Sequence, residues 1–326
     1  MKNSEILNEI KKVACIGGGT IGAGWATTFA MNGLDLDVNT RSDKTLKAAE
    51  EAILQNLELL AEKDMLEKDS ISGIMAKISY ETDVKKAVTG ADFIQENGPE
   101  SYELKEAILA EIESTAKPDA IIASSTSGLL ITRMAEKMEH PERIVGGHPY
   151  NPVHLMPLIE VSKGEKTDES AVQKAYDLYA AVGKEPVVVK KETPGFIANR
   201  LQVALYREAI DLVMRGVCSV EDVDKATTFG LGVRFAVMGP NLIFHLGAGD
   251  QGIRGLLTKL HDSTADRMKD MANWTEEPIE WPEVAEEGVL EEIENRPASQ
   301  GKTIPELKRF RDDMLIDVLK LHKNRG

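Results

Sequence analysis

The sequence predicts an α/β fold in which a doubly wound parallel sheet is followed by an all-helical part. Three observations carry this. The apolar run 13–16 leads into a glycine-rich turn that opens a helical pattern. Short apolar runs then alternate with amphipathic stretches up to about Lys190, the pattern of a parallel sheet covered by helices. After Lys191 the strand signals fade while helical spacing persists.

Taken in order, the runs 13–16, 34–38, 93–95, 121–124, 144–148 and 186–189 read as strands. Between them, 21–32, 46–60, 104–115 and 171–182 read as helices. The segment 44–77 is mostly helical and charged, longer than a simple crossover needs, and reads as a structural elaboration or a flap near a ligand. Beyond Lys191, helical spacing covers 196–216, 220–229, 253–271 and 304–322. In the last of these, Leu307, Phe310, Met314 and Val318 share one face. The acidic stretch 273–300, with Trp274 and Trp281, is the least regular. The domain boundary is expected near Glu192, giving a first domain at 1–191 and a second at 192–326.

Composition sets the classes that can be excluded. The 326 residues are 42% hydrophobic and 29% charged, an ordinary soluble balance. The net charge of -15 repels polyanions, so neither nucleic acid nor an anionic membrane is an expected partner. Only Cys15 and Cys218 are present, which gives no disulfide scaffold and points to a reducing cytoplasm. The start is polar, without an apolar signal core, and no uncharged apolar run reaches the roughly 18 residues of a membrane span.

The run Gly17-Gly18-Gly19-Thr20-Ile21-Gly22 follows the first strand pattern and opens the first helix. In a Rossmann-type domain Gly17 permits the tight turn, Gly19 lets the backbone approach a pyrophosphate, and Gly22 lets helix and strand pack closely. Thr20 and Ile21, at the helix start, belong to the same phosphate-facing turn. The bare pattern is weak; strand, pattern and helix in that order make it specific. At the end of the second strand an NAD enzyme usually places an acid on the ribose diol. Here Thr40 and Arg41 occupy that place, followed by Ser42, and Asp37 is turned away by strand alternation. A guanidinium with hydroxyls suits a 2′-phosphate, so the cofactor is read as NAD or NADP with a lean to NADP. The alternative is an Arg41 that stacks on adenine or is solvated.

The chemistry is expected at His148, in His148-Pro149-Tyr150-Asn151-Pro152, with Glu160 returning beside it from Leu158-Ile159-Glu160-Val161. A histidine held by a carboxylate is a general base of adjustable strength, suited to taking a hydroxyl proton as hydride leaves the same carbon. Ser127 ends a hydroxyl cluster, 124–127, behind a strand pattern, where ligands bind in such sheets. Helix capping is the competing account of Ser127. His148 and His154 lack a third ligand, so no metal is expected.

Across nearly its whole length the chain resembles the 3-hydroxyacyl-CoA dehydrogenase family, on residues 17–22, 124–127, 148–152, 158–161 and 193–201. The resemblance implies that His148 is the base, that Glu160 orients it, and that Ser127 and Asn199 bind the substrate oxygen. It likens Glu96, Glu100 and Lys105 to the segment lining the nicotinamide end, and so makes Glu100 and Lys105 cofactor-binding. It further implies a helical second domain that forms a homodimer.

Two departures from the acyl-CoA branch bear on substrate. The chain ends in a helix rather than a glycine-rich, tyrosine-containing tail, and Arg234-Phe235-Ala236 is inserted between Val233 and Val237. Both resemble the L-carnitine and L-gulonate 3-dehydrogenase branches. The expected substrate is therefore a small free 3-hydroxy or 3-oxo acid such as L-carnitine, with Arg234 on its carboxylate and Phe235 beside it. Tyr150, Phe235, Phe244, Trp274 and Trp281 are candidates for an aromatic cage around a quaternary ammonium. An interdomain salt bridge for Arg234 and core roles for the aromatics are the competing accounts. A 3-hydroxybutyryl-CoA dehydrogenase is the first alternative, and a non-catalytic dinucleotide-binding protein the alternative of a different class.

Overall fold

A computed structural model describes residues 2–323. Its Cα packing divides the chain into two compact units between Arg200 and Leu201, beyond the expected boundary at Glu192.

The first unit is built on one eight-stranded sheet. Its strands are β1 (Lys12–Ile16), β2 (Asp35–Asn39), β3 (Ile78–Glu81), β4 (Phe93–Glu96), β5 (Ile121–Ser124), β6 (Ile144–Pro149), β7 (Leu158–Lys163) and β8 (Glu185–Val189). Their spatial order is β3-β2-β1-β4-β5-β6-β7-β8. The order reverses beside β1, the switch point at which such sheets bind ligands. Helices α1 (Lys2–Glu9), α2 (Thr20–Met31), α3 (Asp43–Glu62), α4 (Tyr102–Glu113) and α5 (Glu169–Ala181) cover it. One face packs Trp25, Phe29, Phe93 and Tyr179 together with Ile53 and Leu57 of α3. The other packs Ile94, Leu109, Ile112 and Ile122. Burial on both faces explains why β1 and β5 read as apolar runs, whereas β4 ends in the buried polar pair Gln95 and Glu96.

The sheet is not wholly parallel. β6 and β7 pair antiparallel, whereas β7 and β8 pair parallel, so the last two strands run against the other six. β7 was expected only as a returning segment, and β3 was not expected at all. α3 is the elaboration suspected in 44–77. Ser42 and Thr45 form a capping box at its start, and Asn56 Nδ2 donates to Thr27 Oγ1 of α2 at 3.1 Å.

The second unit contains most of α6 (Ala198–Met214), then α7 (Gly252–Asp270), α8 (Trp281–Asn295) and α9 (Ile304–Lys323), with shorter helical turns between. α8 corrects the expectation that 273–300 is irregular. Its acidic residues face out, while Trp281 is buried with Ile210 and Val220 and donates to Tyr206 Oη at 3.0 Å. Trp281, with Trp274 packed on the same cluster, is thus core rather than a cage wall. Among the described residues no single helix is long and apolar enough to cross a membrane.

Candidate active site

β1 ends in Gly17, whose φ of 94° lies in the left-handed region. A Cβ there would lie 2.8 Å from the Asn97 carbonyl oxygen. At Gly22 a Cβ would fall 1.8 Å from the Gly17 carbonyl oxygen, so α2 approaches the turn as closely as only glycine allows. Gly19, by contrast, faces open space. Thr20 and Ile21 are the first residues of α2, with Thr20 exposed. The turn borders a cleft of about 900 Å³ lined by Gly17, Gly18, Gly19, Asn39, Thr40 and Arg41 on one side. Pro99, Leu104 and Ile108 stand on the other. An open glycine backbone at a helix amino end, beside an apolar wall, fits a dinucleotide.

The end of β2 is polar but without an acid on the cleft. Asp37 pairs instead with Lys12 at 2.6 Å, as its place in the strand implied. Thr40 Oγ1 donates to the Ser42 carbonyl and accepts from Thr45 Oγ1, and the exposed Arg41 is the one lysine or arginine lining this cleft among the described residues.

Glu100 and Lys105 stand somewhat apart from the cleft. Lys105 is 1% exposed, and its ammonium donates to both Glu96 oxygens, at 3.0 and 2.8 Å, and to the Gly98 carbonyl. All three of its protons are committed, so it braces the turn after β4 rather than reaching a ligand. Glu96 also accepts from Gly98 N at 2.5 Å and Ser124 Oγ at 2.6 Å. Glu100 Oε1 gathers the next loop, accepting from Thr126 Oγ1, Ser127 N, Ser127 Oγ and Gly128 N. Ser127 is exposed and caps no helix; Thr126 shapes that turn, accepting from Leu129 N at 2.9 Å.

The antiparallel register sets His148 directly across from Glu160. His148 Nδ1 lies 2.8 Å from Glu160 Oε2, and Glu160 is 1% exposed. The second oxygen accepts backbone N–H groups from Ile197 and Ala198 at 2.8 and 2.9 Å, at the start of α6. Gly195 and Phe196 bring those groups round, with φ of 76° and 51°. A left-handed phenylalanine is strained, and its buried ring rests 5.5 Å from the imidazole. Burial pushes the Glu160 carboxyl up, but the bonds from His148, Ala198 and Ile197 outweigh it and hold the group below its ordinary value. An ionised carboxylate can only accept, so Nδ1 carries the proton and Nε2 presents a lone pair. Among the described residues nothing is bonded to Nε2.

Asn199, in the first turn of α6, donates from Nδ2 to the Ser127 carbonyl at 3.1 Å. His148, Glu160, Ser127 and Asn199 are therefore one connected cluster. Arg234 and Phe235 belong to the second unit, both exposed in the turn Val233–Phe235, and the Arg234 guanidinium has no partner among the described residues. The sequence reading named Tyr150 only as a candidate cage wall, whereas it donates to Asn199 Oδ1 at 2.9 Å; it missed Gln95, which is buried between Tyr179 and Ser125, and Lys184. Lys184 donates to the Val153 and Met156 carbonyls and so ties the loop joining β6 to β7. Each is a partner across the fold, and no local spacing announces it. Among the described residues no group of three or more His, Cys, Asp or Glu side chains is placed to hold a metal ion.

A dinucleotide cleft at the switch point of a doubly wound sheet, with a carboxylate-held histidine in the same unit, defines a nicotinamide-dependent dehydrogenase acting on a CH–OH group. The chain belongs to the 3-hydroxyacyl-CoA dehydrogenase family: residues 12–193 match its NAD binding domain and 195–289 its C-terminal domain. An L-carnitine dehydrogenase of a Pseudomonas species is 39% identical over 96% of this chain and 94% of its own. That of Oceanobacillus iheyensis is 37% identical, covering 96% and 98%. Among solved structures, an NAD+-dependent 5-formyl-3-hydroxy-2-methylpyridine 4-carboxylic acid 5-dehydrogenase, described as a dismutase, superposes with a TM-score of 0.80 at 30% identity. It covers 97% of this chain and 100% of its own. A (S)-3-hydroxybutyryl-CoA dehydrogenase from Ralstonia eutropha gives 0.65 at 28%, covering 78% and 88%.

Proposed function

We propose that the protein oxidises the 3-hydroxyl of a small free acid, with L-carnitine the foremost candidate, and reduces the corresponding 3-oxo acid in reverse. The observation that carries the chemistry is the 2.8 Å contact of Glu160 with His148 Nδ1, which leaves Nε2 free to take a proton. When bound, the nicotinamide supplies the hydride acceptor. His148 removes the hydroxyl proton, and Glu160 stabilises the resulting imidazolium, an arrangement that contributes on the order of 10²–10⁴ in rate. Asn199 holds the oxygen on which charge develops, joined by Ser127 once its hydroxyl proton turns to the substrate from Glu100, to which it is donated in this structure. Gly17, Gly19 and the amino end of α2, with Thr20 and Ile21, would face the pyrophosphate.

The choice of L-carnitine rests on relatives of that name that match over nearly the whole chain. In this reading Arg234, exposed and without a partner among the described residues, is the side chain assigned to the substrate carboxylate, with Phe235 next to it in sequence. The second reading, a 3-hydroxybutyryl-CoA substrate, is favoured by the solved relative from Ralstonia eutropha. A nicotinamide-absorbance assay offering both substrates separates them. Turnover of free carnitine alone supports the first, and turnover of the thioester alone replaces it.

For the cofactor, the exposed Arg41 beside Thr40 supports a finer reading in which NADP is accepted as well as NAD. Arg41→Ala should then weaken NADP far more than NAD, and an equal effect on both removes the phosphate role. For assembly, we infer a homodimer through the helical second unit. Leu201, Val203, Phe229, Val237 and Met268, all in the second unit, are each more than 60% exposed, and burying such apolar side chains against a second copy is what supports this reading. Light scattering that returns a monomer would refute it. Two free cysteines suit a reducing cytoplasm.

A further inference from the structure

We propose that Tyr150 is a positioning residue which fixes the side-chain amide of Asn199, so that Asn199 presents an N–H rather than a carbonyl to the substrate oxygen. The inference rests on the reading of Asn199 as a ligand of that oxygen and adds to it the group that anchors Oδ1 while the Ser127 carbonyl sets which way the amide faces.

The hydrogen-bond pattern admits one assignment. The Ser127 carbonyl, 3.1 Å from the Asn199 amide, can only accept, so the atom facing it is Nδ2. The other amide atom is then Oδ1, and Tyr150 Oη, at 2.9 Å, donates its single proton to it. With the amide turned over, Oδ1 would face the Ser127 carbonyl, two acceptors in contact, and the same side chain would offer an acceptor to an oxygen gaining negative charge. Of the two Nδ2 protons, one goes to Ser127 and the second has no partner among the described residues.

Tyr150 is suited to this task. It is half-buried directly after β6, its ring lies 5.3 Å from that of His148 in an edge-on arrangement, and it is therefore held by the element that carries the base. Burial first, and then the negative charge of Glu160, push its hydroxyl up to about 12, so the proton stays on the oxygen across the working pH range. A phenylalanine would keep the ring packing and lose only the donor. The amide would keep its bond to the Ser127 carbonyl but lose the partner of Oδ1, so its N–H would be held less firmly toward the substrate oxygen, with the penalty felt most where charge develops.

The test is a double-mutant cycle of Tyr150→Phe and Asn199→Ala, with saturating NAD and whichever of L-carnitine or 3-hydroxybutyryl-CoA the assay above turns over. Asn199→Ala is expected to lower kcat about 100-fold. Tyr150→Phe should lower kcat roughly tenfold, leave the KM for NAD unchanged, and cost nothing further in the Asn199→Ala background. If Asn199→Ala is impaired while Tyr150→Phe matches wild type, or if the two losses multiply, the positioning role is overturned and the reading of Asn199 stands. If Asn199→Ala itself matches wild type, that reading fails and takes the proposal with it. A purely structural Tyr150 would lower the melting temperature and act equally in both backgrounds, which is again a multiplying loss.

Discussion

Glu96 and Glu160 lie on strands of one sheet, each at most 1% exposed, and each holds a basic side chain together with backbone N–H, one at Glu96 and two at Glu160. Their partners differ. Around Glu96 the set is closed: Lys105 has its three protons on Glu96 and Gly98, and Ser124 fills the remaining side. Around Glu160 it is open at one atom, because His148 has two ring nitrogens and, among the described residues, only Nδ1 is engaged. A closed pair stores its charges as scaffold for the turn under the cofactor cleft. An open one can pass a proton. Under the proposed function the same motif of buried carboxylate and base serves structure in one place and chemistry in the other, and the number of committed hydrogens separates them.

The largest effect that would break this comparison is kinetic. His148→Gln should lower kcat on the order of 10³–10⁴-fold while melting temperature and NAD binding stay near wild type. A variant that turns over at the wild-type rate would remove the dyad from the mechanism. Lys105→Met should do the opposite. It leaves Glu96 charged and unpaired inside the protein, costing about 3–5 kcal/mol of stability in denaturant titration. The folded fraction should retain most of its kcat. A stable but inactive Lys105→Met protein would place the lysine in the chemistry after all.

Glu160→Gln sharpens the contrast at smaller amplitude, with kcat expected to fall about 100-fold because the imidazolium loses its counter-charge. It also has a pH signature. The folded carboxyl is held below its ordinary value, first against burial and by bonds from His148, Ala198 and Ile197. Its contribution to stability is therefore complete above the ordinary carboxylate range and is lost as pH falls through the lowered folded value. Melting temperatures measured from about pH 6 downward should fall less steeply in the variant, and parallel curves would contradict the assignment.

The smallest effect belongs to Lys184. Desolvation pulls its ammonium down to about 7, although it donates to two carbonyls of the loop between His148 and Glu160. The folded protein then binds fewer protons than the unfolded chain between about pH 7 and roughly 10.4, so this group makes stability rise with pH across that window. Lys184→Met should flatten that rise while leaving the acid-side behaviour of Glu160 in place. An unchanged slope would mean that the lysine is charged throughout.

By itself the sequence determined whatever depends on neighbours along the chain. The strand, glycine turn and helix at 13–31 follow from local sterics and hydrophobic period. Burial on both faces wrote β1 and β5 as apolar runs. β3, half-exposed and carrying Ser79 and Glu81, lacks that mark, and α8 was hidden by its acidic outer face. His148, Glu160, Ser127 and Asn199 were visible as residue types in order, but not their geometry. The antiparallel turn of β7 that sets Glu160 opposite His148, the enclosure of Lys105, the attachment of Glu100 to the Ser127 loop, and the grip of Tyr150 on Asn199 were decided only in the tertiary structure. The reason is physical: helix period and glycine sterics act within a few residues, whereas strand direction and buried hydrogen-bond pairing are settled between segments that meet only once the chain has folded.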